Sequence, residues 1–145
     1  MRRAMMAAHC GENILGSVEL EIQPVPDILI VPAGSFLMGC ERGLDNERPV
    51  HRVWVDRFGL GKFPVTNRQY ALFLEHAHRE PPAFFCEPMF SPPELPVVGV
   101  TWDDAVSYCA WLSQYTSQQF RLPSEAEWER AARWCRDSLR CRSHR

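Results

Sequence analysis

The stretch RLPSEAEWERAAR, Arg121 to Arg133, carries the signals of a helix start. Ser124 is followed three residues later by Glu127, the pattern of a capping box. The serine hydroxyl accepts from the amide of Glu127, and the Glu127 carboxylate reaches back to the amide of Ser124. Pro123 and Trp128 occupy the hydrophobic staple positions. Glu125 and Glu127 favour the positive end of the helix dipole, and Glu129 and Arg133, four apart, can pair on the exposed face. Three close glutamates suggest an acidic site, but capping and pairing account for each of them.

Two earlier helices open with related chemistry. Thr66 and Gln69 form a box with Val65 and Tyr70 as staple, which predicts a core face of Tyr70, Phe73, Leu74 and Ala77. Thr101 and Asp104 form a weaker one, because Asp is shorter, with a face of Trp102, Ala105, Val106, Cys109 and Leu112. Between them EPPAFFCEPMFSPPELP, Glu80 to Pro96, holds six prolines and three phenylalanines. It predicts a long loop pinned by aromatics, since proline removes donors from helices and central strands alike. Upstream, ILIVPAGSFLMG reads as two short strands joined by a turn. VHRVWVDRFGLGKFPVT reads as a strand that continues through a Gly59/Gly61 irregularity, with Val53 and Val55 on one face and Arg52, Trp54 and Asp56 on the other. VVGV and FRL are further candidate strands. Few strands, interspersed helices and long loops predict an α+β fold.

The 145 residues suit one domain, and 46% hydrophobic with 23% charged residues is ordinary for a globular protein. A net charge of −2 gives no general attraction to nucleic acid or anionic membrane, and no stretch approaches the ~18 apolar residues of a span. The six cysteines, Cys10, Cys40, Cys86, Cys109, Cys135 and Cys141, contain no C-x-x-C pair. The N-terminal Ala/Met run is too short for a signal-peptide core. These features predict, as the default, a cytoplasmic protein with free thiols, with disulfides as the alternative if the true start codon lies upstream.

Four phrases, VPAGSFLMG, ERPVHRVWVDRFGLGKFPVTNRQYALFL, PVVGVTWDDAVSYCAWLS and FRLPSEAEWERAAR, occur in this order. Together, from Asp27 to Arg133, they resemble the formylglycine-generating enzyme, or sulfatase-modifying factor, family. The resemblance implies an irregular, C-type-lectin-like α+β fold, poor in regular structure. It implies a parent reaction in which oxygen oxidises a sulfatase cysteine to formylglycine, with copper on a cysteine pair and calcium supporting the fold. Related domains perform iron-dependent sulfur–carbon bond formation, and others are fused to bacterial kinases or NTPase modules.

The family pattern continues with Gly-Gly, Tyr-Pro-Trp-Gly, Gly-Asn-Val-x-Glu-Trp and Arg-Gly-Gly-Ser-Trp segments, and its cysteine pair and calcium ligands lie in that later half. Here Trp134 and Cys135 stand where the glycines belong, and RDSLRCRSHR matches nothing in the family. The expectation is therefore a linker or remnant over 1–26, the N-terminal half of a family domain over 27–133 and a basic non-family tail over 134–145. No catalytic, cofactor-binding or metal-ligating residue is carried over. The fragment is expected to be inactive alone. A sulfatase-like polypeptide is the partner expected of a complete domain, and nucleic acid and membrane are not expected. A half-domain would leave Trp102, Trp111 and Trp128 without apolar partners.

The remaining reactive side chains have structural explanations. Cys109 falls on the apolar face of its helix, and Cys40 is a turn residue. His76 and His78, two apart, point to different faces, unlike the i, i+4 pair a helical metal site needs. His51 lies on a strand face, Asp103 and Asp104 complement a helix dipole, and LDNE at 44–47 lacks the spacing of a calcium loop. Cys135 and Cys141 are the nearest thiol pair in sequence but lie outside any family motif, and the tail arginines offer at most a basic arm.

Overall fold

The computed structural model describes residues 25–142, with side chains through residue 134. It divides into two compact units, residues 63–122 and residues 27–62 together with 123–142. The fold is α+β, with two small sheets and three helices among the described residues.

In the first unit, helices α1 (Asn67–Ala77) and α2 (Trp102–Thr116) both start from complete capping boxes. The Thr101–Asp104 box closes fully despite the shorter acid, with Asp104 accepting from the Thr101 amide at 3.0 Å and from its hydroxyl at 2.7 Å. The core is Tyr70, Phe73, Phe85, Tyr108 and Leu112. Tyr70 stacks on Tyr108 at 5.6 Å, and Phe73 meets both rings edge-on. Such pairs contribute about 0.5–1.5 kcal/mol each beyond area burial.

Three expectations for this unit are corrected. Ala77 is exposed, and Ala71 packs against the core instead. The covered face of α2 is rotated toward Tyr108, Leu112 and Trp111, leaving Trp102 71% exposed and Val106 outside. The aromatic cluster with Tyr70 and Phe73 sets this rotation, since large rings fill more of the interface than Val or Ala. VVGV and FRL form no strands. The only pairing near the former is a bridge from Pro96 to Thr66, with Val97 N donating to Val65 O at 2.9 Å.

The proline-rich segment is a loop of turns, as its composition requires. Phe85 is buried in the core, but the main pin is Asn67, which is only 1% exposed. Its Nδ2 donates to Phe90 O at 2.6 Å and Pro92 O at 3.0 Å, and its backbone N donates to Leu95 O. At the loop's end, Gly99 has φ +73, and a Cβ there would lie 2.2 Å from Ala83 O, so only glycine fits.

In the second unit, strands β1 (Ile28–Val31) and β2 (Gly34–Met38) do not pair with each other. β1 pairs antiparallel with β4 (Phe58–Gly61), and β2 with β3 (His51–Val55). The predicted continuous strand is thus two strands, broken at Asp56 and Arg57, because each half serves a different sheet. The alternation in β3 holds: Val55 is buried while Arg52 and Trp54 are exposed. Helix α3 (Glu125–Arg142) packs on β2 and β3. Val31, Val55 and Ala131 are this unit's buried apolar residues.

Asn67→Ala removes both side-chain donations to the loop and leaves the Phe90 carbonyl unpartnered, while Pro92 O keeps the Leu95 amide. We expect a loss of about 2 kcal/mol in urea unfolding free energy, against no measurable change for exposed Gln119→Ala.

Candidate functional site

Helix α3 begins as its sequence demands. Ser124 N donates to Glu127 Oε2 at 2.7 Å, and Glu127 N donates to Ser124 Oγ at 3.3 Å. Glu127 is buried. Two details differ from the sequence expectation. Trp128 is 63% exposed rather than stapled. The Glu129–Arg133 pair is made, but on the sheet-facing side and not on the open one, because it has backbone groups to satisfy there.

Those groups belong to Gly39. Its N–H donates to Glu129 Oε1 at 3.0 Å, and its carbonyl accepts from Arg133 Nη2 at 2.8 Å. Arg133 also donates to Glu129 Oε1 from Nε at 2.8 Å and from Nη2. Gly39 has φ +100, and a Cβ there would lie 2.4 Å from Glu47 O, so the position requires glycine. One turn earlier in the helix, Arg130 donates from Nε and Nη2 to Pro32 O at 3.2 and 2.8 Å, and its guanidinium sits 6.0 Å over the Phe36 ring. Both ends of β2 are therefore held by α3. Partial burial raises the Glu129 carboxyl, but the Arg133 and Gly39 hydrogen bonds outweigh it, with help from the Arg133 and His51 charges, and hold the group below the usual carboxylate range.

The other acids are also engaged. Asp104 is held low by hydrogen bonds from Thr101 and by Arg79, 3.5 Å away. Asp103 lies in the first turn of α2. LDNE forms a short 3-10 helix, Asp45–Glu47. His51 lies on β3, its Nδ1 3.0 Å from Pro49 O. His76 lies against Trp111 and Tyr115, while His78 caps α1 in the left-handed region. Among the described residues no group of three or more His, Cys, Asp or Glu is placed to hold a metal ion.

Cys40 is a free, exposed thiol in the turn after β2, where its N–H donates to Glu47 O. Cys109 is free and half-buried, and burial pushes its thiol up. Cys86 is disulfide-bonded, which corrects the expectation of free thiols at that position. Cys10 and the side chains of Cys135, Cys141, Arg136, Arg140, Arg142 and Arg145 lie outside the described residues. Asn67 and Arg130 had no role assigned from sequence. The available signal for Asn67 was its place just inside the cap, where a polar side chain has no capping duty.

A family profile described as sulfatase-modifying factor enzyme 1-like domain matches residues 16–141. The chain belongs to this family. The serine/threonine-protein kinase pkn1 of Chlamydia caviae is 32% identical, over 77% of this chain and 20% of that protein. The formylglycine-generating enzyme of Thermomonospora curvata is 30% identical, over 78% of this chain and 50% of that enzyme. The hercynine oxygenase of Mycolicibacterium thermoresistibile is 32% identical, over 86% and 35%. Among solved structures, that of PvdO from Pseudomonas aeruginosa superposes with a TM-score of 0.61 at 27% identity, covering 74% of this chain and 47% of that one. The chain thus spans half or less of each of these sulfatase-modifying-factor relatives. Among the described residues no helix is long and apolar enough to cross a membrane.

The folded pKa of Glu129 lies below its unfolded value. Its stabilisation is therefore present above the ordinary carboxylate range and is lost as pH falls through the folded value. Urea midpoints recorded from neutral pH down through that range should decline less steeply in Glu129→Gln than in the unmodified protein; parallel curves would count against the clamp. In the native protein, iodoacetamide should label Cys40 well before Cys109, as read by peptide mass.

Proposed function

We propose that this chain supplies the N-terminal part of a formylglycine-generating-type oxidase domain and is inactive by itself. The parent reaction is oxygen-dependent oxidation of a sulfatase cysteine to formylglycine, with a sulfatase-like polypeptide as substrate. The observation that carries the proposal is the family match over residues 16–141 combined with coverage of half of the Thermomonospora curvata formylglycine-generating enzyme. In this reading the described residues are scaffold: capped helices, an aromatic core and a clamped strand.

Copper and calcium belong to the complete domain. Copper(I) selects a pair of facing thiolates. Among the described residues the cysteines do not supply such a pair: Cys86 is disulfide-bonded, and the free thiols Cys40 and Cys109 belong one to each unit. No step of the reaction is therefore assigned to residues of this chain.

Two other readings have specific support. One is a non-catalytic, lectin-like binding module of a bacterial signalling or defence protein, which the match to the Chlamydia caviae kinase supports on the signalling side. The match to a hercynine oxygenase favours iron-dependent sulfur–carbon bond formation. Purified protein incubated with copper, oxygen and a sulfatase-motif peptide should yield no aldehyde by hydrazide capture and mass analysis. Aldehyde above the metal-free control would overturn the claim of inactivity.

A further inference from the structure

The β2–β3 sheet has two different faces. Helix α3 lies on the one that carries Phe36 and Val55, with the Arg130 guanidinium over the Phe36 ring. The opposite face carries Ser35, Leu37, Arg52 and Trp54, all exposed. Two of these side chains are fixed by hydrogen bonds that serve no packing purpose. Trp54 is 65% exposed, yet its Nε1 donates to Asp56 Oδ1 at 2.9 Å, which sets the plane of the indole. Arg52 stands opposite Leu37 in the register but reaches diagonally to Ser35, donating from Nη1 to Oγ at 3.2 Å. Ser35 lies directly opposite Trp54. The guanidinium is therefore drawn to the side of the indole, within the diagonal reach of a long side chain. Among the described residues Arg52 makes no ion pair.

These groups define what the face can hold. An exposed indole stacks on a flat surface of C–H bonds or on another ring. Beside it the guanidinium only donates, the Asp56 carboxylate only accepts, and the Ser35 hydroxyl does both. The charges of Arg52 and Asp56 cancel, which favours a neutral ligand. A phosphate beside the ring would meet the Asp56 charge, and a purely apolar side chain would desolvate both charges without pairing them. Hydroxyl groups answer all of these demands, since each donates and accepts. A pyranose with equatorial hydroxyls has the matching shape: its axial C–H bonds make two flat apolar faces, and its hydroxyls lie around the rim.

We propose that Trp54, Asp56, Arg52 and Ser35 form a binding site for a neutral glycan of β-linked, gluco-configured sugars. One ring stacks on the indole, and its rim hydroxyls donate to Asp56 and accept from Arg52. All four residues belong to the second unit. The site owes nothing to the oxidase reading and does not depend on it.

The test uses the full chain, with cellohexaose at millimolar concentration as probe and NMR as readout. The Trp54 indole N–H, assigned by its loss in Trp54→Phe, and the Ser35 backbone amide should both shift, with the α1–α2 amides unmoved. Followed at Ser35, Trp54→Ala should weaken binding by about tenfold or more, the scale of one ring contact. Trp54→Phe keeps a flat ring and should lose less, and Asp56→Ala and Arg52→Ala should each weaken binding with the α3 resonances unchanged. No shift with cellohexaose overturns the inference, as does equal binding by Trp54→Ala. So does an oligothymidylate that moves these resonances where cellohexaose does not, because the indole then stacks on nucleobases. Aldehyde formation plays no part in this readout, so failure here leaves the oxidase proposal standing.

Discussion

The unit built on α3 depends on how a single glycine is held. Gly39 ends β2 in a left-handed conformation, and a turn of helix satisfies both of its backbone groups. Glu129 accepts its N–H, and Arg133 donates to its carbonyl while also pairing with Glu129. Four residues is the spacing that puts two side chains on one helical face, so the pair is pre-arranged before it meets the strand. With Arg130 on Pro32, contacts spanning 90 and 98 residues of sequence fix β2 at both ends. Charge-assisted hydrogen bonds to backbone are stronger than neutral ones, and they compensate for sheets of only two strands each, which are marginal without packing.

The helical unit solves a different problem. Its proline-rich loop cannot satisfy its backbone through regular structure, so a buried asparagine does so at Phe90 and Pro92. The aromatic cluster then sets which face of α2 is covered. Polar pinning of a loop and aromatic packing of helices meet at adjacent positions: Asn67 and Tyr70 lie one turn apart on α1.

Local chemistry was legible in the sequence. All three capping boxes form at the predicted residues, the β3 alternation holds, and Tyr70, Phe73 and Leu112 are buried as periodicity required. Long-range choices were less visible. ILIV and SFLM are adjacent strands in sequence but belong to different sheets, a decision made by pairing partners that lie well beyond the neighbouring residues, Phe58–Gly61 for β1 and His51–Val55 for β2. The exposure of Trp128 and the inward placement of Glu129 depend on where the sheet lies against the helix, which a capping pattern does not encode. Asn67 was overlooked because burial of a polar residue is settled by its hydrogen-bond partners, which are carbonyls of a distant loop. The family motifs, by contrast, were read directly, and the profile match bears them out.

The most direct test of the central claim is amide hydrogen exchange at Gly39, followed by NMR in the native protein and in Arg133→Ala and Glu129→Ala. If RLPSEAEWERAAR is a structural clamp, the Gly39 amide is protected in the native protein and exchanges markedly faster in both variants, with the α1–α2 amides unchanged. Equal exchange at Gly39 in all three proteins would contradict the account.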